Sequence, residues 1–342
     1  LTGVSAGAIN AVHLAAYRGD WLEAVERLRK LWLGLETNKV YHTDFRHLSL
    51  RVLHWGLRLL SGGRLGRGDV RGMVDTSPLE QFLRAHLIEK DGRVVGIDEN
   101  LQEAVIDAVA IITTNYASGL SEAWVQSVNE DLWQKGQLTS KPAELTVPHV
   151  LASAALPMFF PAISLDGQWH GDGGIRLSAP LSPAMHLGAE RILAVSPRAA
   201  DAAPAQSGNE PYPSPAQIAG VLLNSVFLDL LDFDALQMQR INELLEQIAP
   251  AQWDGFRPVE VMVLRPKEDL GELARAHELG LPKAFRFFGK GLENRREPSA
   301  DALSMVMFEP EYLSLLMTLG EQDTAARSEE IRAFLLAQPK GD

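Results

Sequence analysis

The first ten residues, LTGVSAGAIN, constrain the fold more than any other stretch: Gly3, Ser5 and Gly7 spell G-x-S-x-G directly ahead of a helix-forming run. A serine at the apex of a sharp strand-to-helix turn sits in a strained backbone conformation, so the residues two before and two after it must be small. Gly3 and Gly7 meet that need. A helix expected over about 8–17 would aim its N-terminus at the Ser5 hydroxyl, where the positive end of the helix dipole favours developing negative charge. Ser5 is therefore the candidate nucleophile, with Gly3 and Gly7 as elbow residues and the N–H of Ala6 as the candidate oxyanion donor. The plainer alternative is a turn that contains a serine.

A second stretch, 151–180, reads LASAALPMFFPAISLDGQWHGDGGIRLSAP and carries D-G-G at Asp172, Gly173 and Gly174. On its own Asp-Gly-Gly is also ordinary turn chemistry. Ahead of it, Ala152, Ser153, Ala154, Pro157, Phe159, Phe160 and Pro161 give A-S-A-x-x-P-x-F-F-P. Asp75 to Leu79 give D-T-x-P-L, and Gly188 to Ser196 give G-A-x-x-I-L-A-V-S. In these motifs the sequence resembles the patatin-like phospholipase family, in its bacterial form, over most of the first 200 residues. The resemblance implies a three-layer α/β fold with a mainly parallel central sheet flanked by helices. It implies a lipid acyl hydrolase with a Ser/Asp dyad, which carries over to Ser5 as nucleophile and Asp172 as base, with Gly173 and Gly174 supporting the motif. The expected substrates are lipids, phospholipids first, with no cofactor, in the cytoplasm or at the membrane periphery of a bacterium.

Two departures bear on activity. The family implies a first strand and a glycine-rich loop some tens of residues ahead of the serine, whose N–H groups help to form the oxyanion hole; the sequence given opens two residues before Gly3. Either the native protein is longer, or it works without donors that are each worth about 2.7–4 kcal/mol of barrier lowering. The asparagine that commonly follows D-G-G in the family corresponds to Ser178.

The chain of 342 residues, 46% hydrophobic, is expected to make one hydrolase domain over 1–342: a catalytic core over 1–198, a flexible Ala/Pro/Ser/Gly-rich loop over 199–215, and a helical region with one strand over 216–342. A formal charge of −12 argues against nucleic acid as a partner, since phosphate contacts need a basic surface. With no cysteine, disulfides, thiolate zinc sites and a cysteine nucleophile are excluded, and neither H-E-x-x-H nor calcium-loop carboxylate spacing occurs. The uncharged run 145–165 is interrupted by Pro148, Pro157 and Pro161, and the apolar run 218–228 is too short to cross a bilayer.

Along the chain, Asp20 is the expected N-cap of a helix whose Leu22, Val25, Leu28, Leu31 or Trp32, and Leu35 form an apolar face to cover the sheet. The stretch 46–71 interleaves Arg46, Arg51, Arg58, Arg64, Arg67 and Arg71 with Trp55 and leucines. Such a basic amphipathic pattern suits an anionic lipid surface or a lid over Ser5, and equally an ordinary solvated helix. Strands are expected at 108–114 (AVAIITT), 123–128, 168–170 and 192–196, with helices at 78–87 and 147–155. A long helical pattern follows over 218–248, and a strand at 259–264 is expected to join the same sheet; Met305, Met307, Phe308, Leu313, Leu315 and Leu316 are candidate core residues.

An aspartate of ordinary pKa, about 3.9, is a weak base towards a serine hydroxyl, so contact, exclusion of water and the helix dipole must compensate. His170, two residues before Asp172, offers a Ser/His/Asp alternative. His13 lies about two helical turns beyond Ser5 and points away from it, and His149 reads as structural. Two other functions stay open: a catalytically silent lipid-binding or regulatory protein on the same scaffold, and an acyl-thioester hydrolase or acyltransferase.

Overall fold

The computed structural model describes residues 1–42, 72–87, 89–129, 133–200, 229–277 and 304–337, with the isolated positions 61, 218, 221, 222, 225 and 226. The basic stretch 46–71 lies outside the described residues apart from position 61, and so does the loop 199–215 apart from its first two residues. The chain divides into two compact units, the first Leu1–Leu177 with Phe308–Pro310, the second running from Ser178 onwards.

The first unit is built on β4 (Ala108–Asn115), whose residues are all buried: its start, AVAII, is an apolar run, and Thr113, Thr114 and Asn115 at its end are buried with hydrogen bonds. On one side β4 pairs with β5 (Ser121–Ser127). On the other it pairs near its start with β1 (Thr2–Gly3) and at its end with β9 (Gln168–Asp172). β6 (Gln134–Lys135) and β7 (Leu138–Pro142) extend the sheet beyond β5, and β8 (Ile163–Leu165) beyond β9. A separate hairpin joins β2 (Glu89–Lys90) to β3 (Arg93–Val94). The fold is α/β, a central sheet flanked by helices. That sheet is mixed rather than mainly parallel: β1 runs parallel to β4 and β7 to β5, while β4 with β5, β4 with β9, β6 with β7 and β8 with β9 are antiparallel. Short tight connections such as Asp166–Gly167 between β8 and β9, both with positive φ, make antiparallel neighbours where a parallel sheet would need crossovers.

Helices α1 (Ala6–Ala16), α2 (Trp21–Leu33), α3 (Thr37–Val40), α4 (Ser77–His86), α5 (Ile97–Gln102) and α6 (Val147–Ser153) complete this unit. Asp20 caps α2 as expected, its Oδ1 accepting the Leu22 N–H at 2.8 Å. The buried face of α2 differs from the expected one. Ala24, Leu31 and the following Leu35 are buried, whereas Leu22 is 81% and Val25 52% exposed. Instead of covering the sheet, α2 leans on α1, where Trp32 Nε1 donates to Asn10 Oδ1 at 2.8 Å. Close approach of two helices selects the small Ala24 over the larger apolar residues beside it.

The second unit pairs β10 (Arg191–Val195) with β11 (Glu260–Leu264) in parallel, as a sheet of two strands. The strand at 260–264 thus finds its partner here and not in the β4 sheet that it was expected to join. Within β10, close to the strand expected at 192–196, Ile192 is buried, packed with Leu181, Met238 and Val259, but Leu193 and Val195 face outwards. Alternating exposure is the mark of a sheet covered on one face. Around it lie α7 (Ser182–His186), α8 (Leu230–Leu245), α9 (Leu270–Ala276), α10 (Pro310–Ala326) and α11 (Ser328–Leu336). Of the expected core residues in the C-terminal part, Met307 and Leu313 are buried, with Tyr312 beside them. No helix among the described residues is long and apolar enough to cross a membrane.

Candidate active site

Ser5 stands between β1 and α1 with φ 54° and ψ −127°, a left-handed conformation that costs a non-glycine residue about 1–3 kcal/mol. The surrounding structure holds it there. Gly7 N donates to Val4 O at 2.8 Å and Ala8 N to Ser5 O at 3.0 Å, closing the turn into the helix. The Ser5 N–H donates to Ser153 Oγ at 3.1 Å. Ala6, the exposed first residue of α1, offers an N–H that no acceptor takes among the described residues. It is the donor nearest in sequence to the nucleophile, at a helix start where partial positive charge collects.

The glycines of the elbow are not equivalent. A Cβ on Gly3 would lie 2.3 Å from the carbonyl oxygen of Gly7, so strand and helix touch there and Gly3 must lack a side chain. A Cβ on Gly7 would meet nothing within 4 Å. The expectation that packing also demands Gly7 is therefore corrected: the helix turns that position into open space. In the second motif Gly173 is fixed by the same kind of contact, its Cβ position lying 2.2 Å from Ile112 O.

Asp172 ends β9, opposite Thr113 of β4, and is completely buried. Its backbone N–H donates to Ala155 O at 3.0 Å, and its Oδ1 accepts the Gly174 N–H at 2.8 Å. Burial pushes its carboxyl up to about 6, against the opposing pull of the Ser5 hydroxyl and the Gly174 N–H. The Ser5 hydroxyl thus lies close enough to the carboxyl to favour its ionised form. Oδ2 has no hydrogen-bond partner among the described residues, and catalytic contacts commonly tighten only when substrate is bound. The two residues that the motifs single out, 167 positions apart, are brought together with the acceptor buried and Ser5 half-buried.

His170 is turned elsewhere. Its Nδ1 lies 3.0 Å from Thr113 Oγ1, which also accepts the Trp124 indole N–H at 2.8 Å. Its Nε2 lies 3.8 Å from Glu122 Oε2, the carboxylate oxygen that pairs with Lys141 at 2.8 Å. Burial pushes the imidazole down, and the nearby Glu122 carboxylate only partly offsets this. His149 takes the N3 position of α6, where its Nδ1 meets Thr146 Oγ1 at 2.7 Å, and burial takes it down to about 4. His13 is buried within α1. None of the three histidines has a hydrogen bond to Ser5 or Asp172. The residue that sequence reasoning passed over is Ser153: it was read as part of A-S-A without a role, although a buried serine in an apolar helix end is itself a signal that its hydroxyl has partners.

A family model described as patatin-like phospholipase matches residues 1–185, a segment that contains both Ser5 and Asp172. No curated protein matches the chain.

Proposed function

Since the chain belongs to the patatin-like phospholipase family, a family of lipid acyl hydrolases, we propose that it cleaves acyl ester bonds of lipids, phospholipids first, with Ser5 as nucleophile and Asp172 as its general base. The observation that carries this reading is the strained turn that sets the half-buried Ser5 at the start of α1, with the completely buried Asp172 carboxyl close to its hydroxyl. A carboxyl raised to about 6 is a better proton acceptor than an exposed aspartate and is still ionised at pH 7. His170 is a poor candidate for the base because its two nitrogens face Thr113 and Glu122.

In the first half-reaction Ser5 Oγ attacks the ester carbonyl carbon as its proton passes to Asp172. The Ala6 N–H and the start of α1 stabilise the developing oxyanion. Collapse of the tetrahedral intermediate breaks the ester C–O bond, and the leaving alkoxide takes the proton from Asp172. In the second half Asp172 removes a proton from water, the hydroxide attacks the acyl-Ser5 carbonyl, and fatty acid departs as Ser5 Oγ regains the proton. Nothing in the site favours a thioester over an oxygen ester, so the same nucleophile would serve either.

The test is fatty-acid release from phosphatidylcholine and phosphatidylglycerol vesicles by the full-length protein against Ser5→Ala. Release that disappears with Ser5 is the expected result. A folded wild type that binds vesicles without releasing fatty acid would point to a catalytically silent lipid-binding protein.

A further inference from the structure

Two residues at and just beyond the end of α6 hold the main chain at both members of the pair. Ser153 is completely buried, and its Oγ accepts the Ser5 N–H at 3.1 Å while donating to Ile112 O at 2.7 Å. Two residues on, Ala155 O accepts the Asp172 N–H at 3.0 Å. Ile112 O is itself a junction, since Gly173 packs so closely on it that a Cβ there would lie 2.2 Å away. The nucleophile, the base and the central strand β4 therefore share one short relay, Ser5 N–H to Ser153 Oγ–H to the Ile112 carbonyl, with the base tied to the same turn of chain.

The relay does two things for Ser5. It stabilises a residue held at φ 54°, which would otherwise relax towards an ordinary backbone conformation. It also occupies the Ser5 N–H, leaving the neighbouring Ala6 N–H to face an oxyanion. Without the hydroxyl, the Ser5 N–H and the buried Ile112 carbonyl would both lose a partner, and the elbow would shift to find others. A displacement of about 1 Å between reacting groups can cost about 100-fold in rate.

We propose that Ser153 is a positioning residue that sets the Ser5 elbow for attack, through the relay from the Ser5 amide to the Ile112 carbonyl. This rests on the Ser5/Asp172 reading above. Its role is to hold the nucleophile's backbone; its own hydroxyl touches no substrate.

The test compares the full-length wild type with Ser153→Ala, Ser153→Cys, Ser153→Thr and Ser5→Ala. The readouts are the second-order rate of Ser5 labelling by an alkyl fluorophosphonate, kcat and KM on a soluble p-nitrophenyl ester, and Tm. Ser153→Ala and Ser153→Cys, the latter of similar size but a poor hydrogen-bonding group, should lower labelling and kcat by about 10- to 100-fold with KM within about twofold. Ser153→Thr, which keeps a hydroxyl, should recover most of both. Labelling within about twofold of wild type in either folded loss variant would overturn the proposal, and the cysteine variant carries the test if the alanine variant does not fold. Equal losses in all three, tracking equal falls in Tm, would reduce Ser153 to a packing residue. A wild type that labels no faster than Ser5→Ala would overturn the dyad reading itself, and the positioning role with it.

Discussion

The Cα of Gly3 faces the carbonyl of Gly7 so closely that a Cβ would stand 2.3 Å from its oxygen. The oxygen belongs to backbone at the start of α1, which cannot swing aside as a side chain would. Gly3→Ala is therefore expected to lower Tm sharply or prevent folding, because β1 must separate from α1 or Ser5 must leave its turn. Gly7→Ala adds a methyl to open space within a helix and is expected to leave stability unchanged or raise it by up to about 1 kcal/mol. Thermal unfolding of the two variants side by side checks the contrast. A Gly7→Ala variant as unstable as Gly3→Ala would contradict it.

The pH dependence of activity follows from the burial of Asp172. As general base it works when ionised, and its carboxyl is raised to about 6. We expect kcat/KM to rise with pH, to bend near 6 and to stay level above that through the range in which an ordinary histidine would titrate. A second limb near 7 that vanishes in His170→Gln would make the histidine part of the proton path.

Stability runs the opposite way. A carboxyl that is raised from 3.8 to about 6 in the folded protein binds its proton more tightly than in the unfolded chain. The folded state is thus favoured below the unfolded value, and that advantage is lost as pH rises through about 6, on the order of 3 kcal/mol in all. Asp172→Asn removes the buried charge. It should be more stable than wild type at pH 7–8 by up to that order and lose the difference towards pH 4, while being inactive. Denaturant unfolding at several pH values measures this, and a variant less stable than wild type at pH 8 would oppose it.

His170 stabilises the sheet end through Thr113, so His170→Gln is expected to cost about 1–2 kcal/mol in unfolding free energy. It should leave the pH midpoint of kcat/KM where it was. A shifted midpoint at retained stability is the outcome that would contradict a structural role.

The parts of this structure legible in the sequence are those with local or motif-level causes. AVAIITT reads as a buried strand because it is a short run rich in apolar and β-branched residues, and all eight residues of β4, which adds Asn115 to it, are buried; Asp20 reads as a cap because the cap bond is made two residues away. Ser5 and Asp172 were found through spaced motifs, although nothing in periodicity alone joins positions 167 apart. What could not be read is what depends on distant partners. The pairing of 260–264 with 191–195, the choice of Ala24 over Leu22 and Val25 as the docking face of α2, and the open space at Gly7 are all settled by tertiary neighbours. Ser153 belongs with these, since its meaning lies in an amide 148 positions away.

The central claim is that Ser5 becomes acylated and that Asp172 takes its proton. Rapid quenching of the full-length protein with a p-nitrophenyl ester, followed by peptide mass analysis, tests it most directly. We expect a fatty-acyl adduct on the peptide that carries Ser5, formed within the burst of p-nitrophenolate, absent in Ser5→Ala and greatly slowed in Asp172→Asn. An adduct on another residue, or a burst that survives Ser5→Ala, would contradict the account.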